Sequence, residues 1–467
     1  MAHRLPALLV CCAALHVHAQ TCVQVTVQDE GPGRGELVHC LDGSLPGIVD
    51  GLGRFCPRVP CDTLLFDGPD FVPQRVAWSD LVRKGEIVLA RIPKALPPVE
   101  ITPWPAKKDR QALAALSAVD SAQVSGFSQA SLAHALADLP GVRMDERGAG
   151  GSARLSIRGS LLRSPYGTRG VKVYWGPFAL TLADGSTPLE LLDPMLVSSL
   201  DVVRSVGGPL YGSAPSGVLL ADAPWRRTAG TTLEASAVGG SYGYYKLGVL
   251  TQVRDSSGTA LTVGGYRMDN SGYRAQEATH RDQVFLTTQW RRTNTVTRAY
   301  LTLQQARWQL PGSVDSLTAQ RDPRAARPYS QLIDAHITKQ QVFAGLAHEQ
   351  HLFGPLLLRA AVQAQVIDKL NPYGTTPAAS GNKDEDIRGG GTRVSIAGDH
   401  RGRHIGFAWE LGFEGLLERD DLRETGYAYA VPSPLRTDAS SRVSNLNGFL
   451  STRTRLGERT TLFADIG

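Results

Sequence analysis

A histidine, serine or cysteine beside glycines or carboxylates is where this chain could do chemistry. His348-Glu349-Gln350-His351 has some letters of a zinc-peptidase box. Its histidines stand at i and i+3, whereas two ligands on one helical face need i and i+4. The stretch also reads as the end of a strand. Gly239-Gly240-Ser241-Tyr242-Gly243 fits G-x-S-x-G but lies between two strand-like runs. A nucleophile elbow needs a strand-to-helix turn, so a hairpin turn is expected here. No phosphate-cradling P-loop occurs. Asn382-Lys383-Asp384-Glu385-Asp386 gathers carboxylates without the regular spacing of a calcium loop, and reads as a solvated charge run within a loop. The chain is not read as an enzyme, and no catalytic residue, metal site or cofactor is expected.

The cysteines point to export. Cys22, Cys40, Cys56 and Cys61 cluster early, at spacings of 18, 16 and 5 that match no zinc pattern. An even, clustered set in an exported chain reads as disulfides, with three connectivities open. Residues 1–19 read as a signal peptide: His3 and Arg4, an apolar run from Leu5 to Leu15, then Val17-His18-Ala19 before a cleavage site at Gln20. That run is too short to cross a bilayer as a helix, and no later segment is long enough. Any membrane span must therefore be a barrel. Charged residues are 20% of 467 with a net charge of +5, which indicates neither disorder nor a nucleic-acid partner.

The elements that would hold any site fall into three textures. Residues 20–98 show short alternating strands (Val23 to Val27, Thr63 to Phe66, Glu86 to Leu89) and a glycine turn at Asp50-Gly51-Leu52-Gly53. Pro97, Pro98, Pro103 and Pro105 mark an extended linker. Residues 105–228 mix strands with one amphipathic helix. From Gln129 to Leu139, Leu132, Leu136 and Leu139 share a face, Ser131 can cap the start, and Pro140-Gly141 ends it.

Residues 229–467 are strand and loop. From Leu356 to Val366, Leu356, Leu358, Ala360, Val362, Ala364 and Val366 face one side, opposite Arg359, Gln363 and Gln365. From Ile405, Phe407, Trp409, Leu411 and Phe413 face away from Glu410 and Glu414. Eleven strands are expected, joined by short turns at one end and by long polar loops at 269–280, 307–337, 368–387 and 419–441 at the other. The hairpin at Gly240 is a short exception. Apolar-out strands of this length with alternating loop lengths describe a transmembrane barrel and not a soluble sandwich. Barrels close with an even strand number, so the chain is expected to be a piece holding roughly 11 of about 22 strands. Such a piece should form no pore by itself.

Several motifs resemble the plug domain of TonB-dependent outer-membrane receptors. LADLPGVRMDERGAGGSARLSIRG (Leu136 to Gly159) is similar to the family's helix, "LPGV", glycine turn and "IRG" strand. RGVKVYWGPFALTLADG (Arg169 to Gly185) resembles its central strand pair, with Trp175-Gly176 in place of Asp-Gly. LLDPMLVSSLDVVRSVGGPLYGSAPSGVLL (Leu191 to Leu220) resembles its closing signature, a helix leading into a strand and "LYG". Residues 20–98 look like a carboxypeptidase-regulatory-like β-sandwich, with VDGLGRF (Val49 to Phe55) at its turn. DPRAARP (Asp322 to Pro328) is similar to a loop of ferric-citrate-type members.

The resemblance implies a mainly β molecule. It comprises a signal peptide (1–19), a β-sandwich (20–98), a TonB-box-like linker (99–104), an α/β plug (105–228) and part of an antiparallel transmembrane barrel (229–467). Val99, Glu100, Ile101, Thr102 and Pro103 would be the box that adds a strand to TonB, the inner-membrane energy transducer. The implied location is the outer membrane, with lipid around the wall and import of a scarce ligand such as a ferric chelate. Arg163, Tyr166 and Arg169, near Arg158 and Lys172, would face such an anion, unless the plug's basic residues pair internally or with the wall. An adhesin or signalling receptor without transport is the rival reading.

Overall fold

The computed structural model describes residues 22–27, 31–32, 37–40, 47–50, 52–57, 61–68, 71–89, 116–119, 124, 131–146, 148, 151–160, 167–204, 209–226, 228–402, 405–457 and 460–467. Two compact units emerge, Met1–Ile101 and Thr102–Gly467. Val99 to Pro103, Arg163 and Tyr166 lie outside the described residues, as does the signal-peptide segment.

In the first unit the strands are β1 (Val23–Val27), β2 (Gly31–Pro32), β3 (Leu37–Cys40), β4 (Gly47–Ile48), β5 (Arg54–Phe55), β6 (Thr63–Gly68), β7 (Phe71–Ala77) and β8 (Glu86–Leu89). One sheet runs β2-β1-β5 with β8 on β1, the other β4-β3-β6-β7. Alternation turns Val23, Val25, Val38, Leu64 and Phe66 into one shared core. A helix the alternation did not suggest, Trp78–Lys84, inserts Leu81 into that core and stops at Gly85, whose φ of 75° suits a residue without Cβ. Asp50 accepts from the Leu52 and Arg54 amides and tightens the turn around Gly53. Cys22 pairs with Cys56, and Cys40 with Cys61.

The second unit opens with β9 (Leu116–Val119), β10 (Val142–Glu146), β11 (Ala153–Ile157), β12 (Thr168–Arg169), β13 (Val171–Trp175), β14 (Phe178–Ala179), β15 (Ser186–Thr187), β16 (Ser199–Val203) and β17 (Gly217–Asp222). Five of them form a sheet ordered β14-β13-β17-β16-β9, with β13 and β17 parallel. β13 and β17 read as unbroken apolar runs because both faces are covered. The expected helix is shorter, Ala133–Ala137, with Leu132 and Leu136 buried and the Ser131 hydroxyl accepting from the Ala133 amide. The helix with which the resemblance opens the closing signature is absent. Two 3-10 turns, Leu189–Leu191 and Pro194–Leu196, stand there, since Pro194 denies a helix its amide and Asp193 caps the second turn.

Eleven antiparallel strands follow in sequence order, each paired with the next: β18 (Gly230–Gly239), β19 (Tyr245–Arg254), β20 (Ala260–Asn270), β21 (Thr279–Arg291), β22 (Thr295–Gln309), β23 (His336–His351), β24 (Leu356–Gly374), β25 (Ser380–Arg401), β26 (Ile405–Ala428), β27 (Val431–Leu456) and β28 (Thr460–Ile466). The inside-outside pattern matches the alternation. Phe407, Leu411, Phe413 and Leu417 are exposed, while Glu410, Glu414 and Glu418 in the opposite register are buried.

Two expected loops are not loops. Residues 368–387 and 419–441 are mostly strand, and β24 to β27 rise as tall hairpins well beyond the apolar stretch. Their polar composition is compatible with a sheet because opposite charges meet across it, as Lys369 and Glu385 do in register. The charge run Asn382 to Asp386 therefore belongs to β25.

Candidate functional site

The chemistry of the second unit concentrates where the plug strands meet the inward face of the wall. Alternation on β26 places Glu414 inward, and its carboxylate receives three donors. Lys172 of β13 donates to one oxygen; the Tyr174 hydroxyl at 2.8 Å and Arg393 of β25 at 3.0 Å donate to the other. Lys172 and Glu414 are both almost wholly buried. Arg393 also donates to the Leu210 carbonyl at 2.9 Å and lies over the Phe449 ring. Burial pushes the Tyr174 phenol well above its usual range, reinforced by the Glu414 charge, so it stays a donor.

From Glu414 the charges continue round the inner wall with alternating sign. Arg298 pairs with Glu349, and Arg359 lies 3.6 Å from Glu349 and 3.4 Å from Glu410. Charges this deep cost several kcal/mol each to desolvate unless partnered, and the alternation supplies the partners (order-of-magnitude, about 3–5 kcal/mol for a broken pair).

Two further ion pairs fasten the 3-10 turns. Lys246 of β19 donates to both Asp193 oxygens at 2.7 and 2.8 Å, with both side chains out of solvent. Lys339 of β23 donates to Glu190. Burial by itself would raise the Glu190 carboxyl, but the Lys339 ammonium and its hydrogen bond outweigh this and hold it below the usual range. Plug carbonyls are bound as well: Gln304 donates to Glu190 at 2.8 Å, Gln283 to Leu191 at 3.0 Å, and Asn447 to Pro209 at 2.8 Å. At the short-turn end of the wall, Thr262 and Gln252 both donate to the Pro224 carbonyl. The plug is thus attached over the height of the wall.

Steric fit complements the polar contacts. Trp175 and Phe178 pack edge-on against Tyr300, and Phe178 against Phe343. A Cβ on Gly345 would stand 2.7 Å from the Phe178 ring, so only glycine leaves room for it. At Gly176, whose φ is 58°, a Cβ would come within 2.6 Å of the Tyr300 hydroxyl. Trp175-Gly176 thus keeps the glycine its turn requires and uses the indole as a wall contact.

Of the basic residues read as ligand-facing, Arg169 is more than half exposed and donates to Asp184 at 2.8 Å. Lys172 is engaged with the wall. Arg158 sits in the left-handed region at φ 52°, its amide bonded to the Gly141 carbonyl. DPRAARP knits loops together: Arg274 donates to the Ala325 carbonyl, and Arg324 to that of Tyr273. His348 to His351 end β23, where Glu349 serves the charge network, and Gly239 to Gly243 form a tight hairpin connection. The wall partners Lys246, Lys339, Arg393 and Glu414 were not foreseen. Their only sequence signal was a charge in the inward register of an apolar-out strand.

Residues 108–218 match the family described as TonB-dependent Receptor Plug Domain. A plug domain of that family is therefore present in this chain. The wall agrees with that plug. The unliganded ferric citrate transporter FecA matches with a TM-score of 0.62 at 14% identity, over 74% of this chain and 54% of that one. FpvA of P. aeruginosa bound to a heterologous ferric pyoverdine gives 0.61 at 8%, over 76% and 51%. The alcaligin receptor FauA from Bordetella pertussis gives 0.56 at 16%, over 76% and 55%. These likenesses establish the shared fold, and this chain spans about half the length of the structures it matches.

Proposed function

We propose that this chain supplies the periplasmic domain, the plug and the leading wall strands of an outer-membrane importer driven by TonB, and that its cargo is a ferric chelate. The observation that carries the reading is the plug held against the inward face of a lipid-facing wall by Lys172–Glu414, Lys246–Asp193 and Lys339–Glu190. A membrane anchor for an adhesin needs no such stopper, whereas an importer must keep its bore shut between cargoes. The outer membrane has no energy source of its own, so displacing the stopper requires a partner across the periplasm. Val99 to Pro103, a proline-flanked stretch ahead of the plug in the sequence, suits strand addition to that partner. The preceding carboxypeptidase-regulatory-like domain acts as a periplasmic module. The exposed Arg169 and the ferric-chelate names of two matched structures favour an anionic iron complex.

The test uses the full-length receptor in cells, with iron supplied as citrate, catecholate or hydroxamate chelates. Deleting Val99 to Pro103 should abolish uptake of the cognate chelate while leaving cell-surface binding intact. Uptake that survives the deletion removes the energy-coupled reading and favours the adhesin or signalling alternative.

A further inference from the structure

The wall cations that hold the 3-10 turns belong to one line. Along the strand register from β19 to β24, Lys246 stands opposite Met268, and Met268 opposite Arg281. Arg281 stands opposite Ala306, Ala306 opposite Lys339, and Lys339 opposite Lys369. Directly opposed residues of neighbouring antiparallel strands point to the same side, so all four basic side chains share the inward face. Lys246 and Arg281 are almost wholly buried there, and the small Ala306 separates Arg281 from Lys339. Like charges in such a row repel, most of all the direct neighbours Lys339 and Lys369.

The row is balanced from two sources. Lys369 pairs with Glu385 of the wall itself. Lys246 and Lys339 pair with Asp193 and Glu190, both carried by one short plug segment, and Arg281 also feels the Asp193 charge. Moving that segment off the wall strips the row of both carboxylates at once, and buried cations without an anion are costly. An anion that arrives as the carboxylates leave removes that cost. One inward position nearer the long-loop end, Thr279 and Trp308 stand directly opposite each other and are buried. The Thr279 hydroxyl and the Trp308 indole N–H have no hydrogen-bond partner among the described residues, and both can donate to ligand oxygens. The Trp308 ring centre lies 5.9 Å from the Lys339 ammonium.

We propose that Lys246, Arg281 and Lys339 form an internal site for a carboxylate-bearing anionic chelate, separate from the exposed Arg169, and that Asp193 and Glu190 are stand-ins for the cargo's carboxylates. The inference rests on the import reading and deepens it. Cargo reaches the inner wall by exchanging with the plug's own carboxylates, so the wall cations keep an anion throughout. Charge-assisted contacts to the incoming carboxylates replace those given up by the plug. A merely structural anchor needs one cation opposite each carboxylate. It needs neither Arg281 beside them nor two buried donors left over.

The experiment titrates the purified full-length receptor in detergent with citrate as the anionic probe and xylitol as the neutral one. D193N/E190Q removes the stand-ins and should bind citrate at least about 10-fold more tightly than wild type, the worth of a charge-assisted contact, with no gain for xylitol. D193N/E190Q/K246M/K339M loses two cations together with their two anions and should lose that gain. A double variant no better than wild type, an equal gain for xylitol, or a gain that survives in the quadruple variant overturns the site. If the double variant misfolds, hydrogen exchange of residues 189–196 in the wild type decides. Citrate should accelerate it more than sodium chloride of equal ionic strength, and equal acceleration refutes the exchange. In cells, the quadruple variant should keep surface binding of the cognate chelate and lose at least about 10-fold in uptake rate, the same single-contact scale; full uptake refutes the transit role. Failure of the citrate titration with normal wild-type uptake leaves the import reading standing. Wild type that takes up no chelate removes that reading, and the citrate titration still judges the anion site.

Discussion

Lys172 and Arg393 reach the Glu414 carboxylate from two elements, one in the plug and one in the wall, while the Tyr174 hydroxyl takes a remaining lone pair. Removing the carboxylate charge leaves two buried cations short of an anion. Glu414→Gln should therefore cost about 3–5 kcal/mol in unfolding free energy, measured on folded receptor in bilayers, and K172M/E414Q should recover part of it. A loss under about 1 kcal/mol, as for exposed pairs, would mean the site is wet. Glu190 adds a pH signature. Its folded-state carboxyl is held below its unfolded range by Lys339, so it stabilises the docked turn above the unfolded value. That contribution disappears as pH falls through the depressed folded value. Hydrogen exchange of residues 189–196, corrected for intrinsic rates, should accelerate below the normal carboxylate range. Glu190→Gln should remove the pH dependence.

The wall strands are judged by which of their faces meets lipid. Leu411 is about half exposed on the apolar face while Glu410 beside it is buried toward the plug. Leu411→Arg should destabilise the inserted receptor by about 2–4 kcal/mol, the cost of a cation near mid-bilayer on a barrel exterior. Urea titration of the heat-modifiable band would measure it, and an unchanged midpoint would place this face in water. The strand assignments were readable because a period of two survives over nine to eleven residues. Strand length was not readable. Polar residues in 368–387 and 419–441 suit a loop and a solvated sheet equally, and only cross-strand partners such as Lys369 and Glu385 separate the two. The helix that the resemblance implied before β16 is missing for a local cause, Pro194, which opens a 3-10 turn capped by Asp193.

For the molecule as a whole, export and docking impose separate demands. The first unit carries the cysteines, and its short strands have a small shared core for crosslinks to reinforce. Non-reducing peptide mapping of protein from the cell envelope should recover Cys22 linked to Cys56 and Cys40 linked to Cys61. Free thiols at these positions would argue against an oxidising compartment. The second unit has an inner wall whose charges are satisfied jointly by the wall and the plug, so either part alone would expose unpaired groups.

Composition, the period-two alternation and the ordered plug motifs were sufficient for the architecture, because each depends on residues close together in the chain. Which charges meet was decided elsewhere. Lys172 and Glu414 are 242 residues apart, and Lys246 and Asp193 are 53 apart. Such pairings follow from strand register and from the depth at which the plug sits, and neither quantity is encoded in any local stretch. The basic row on the inner face has the same origin: Lys246, Arg281 and Lys339 share a line only once the strands from β19 to β23 align.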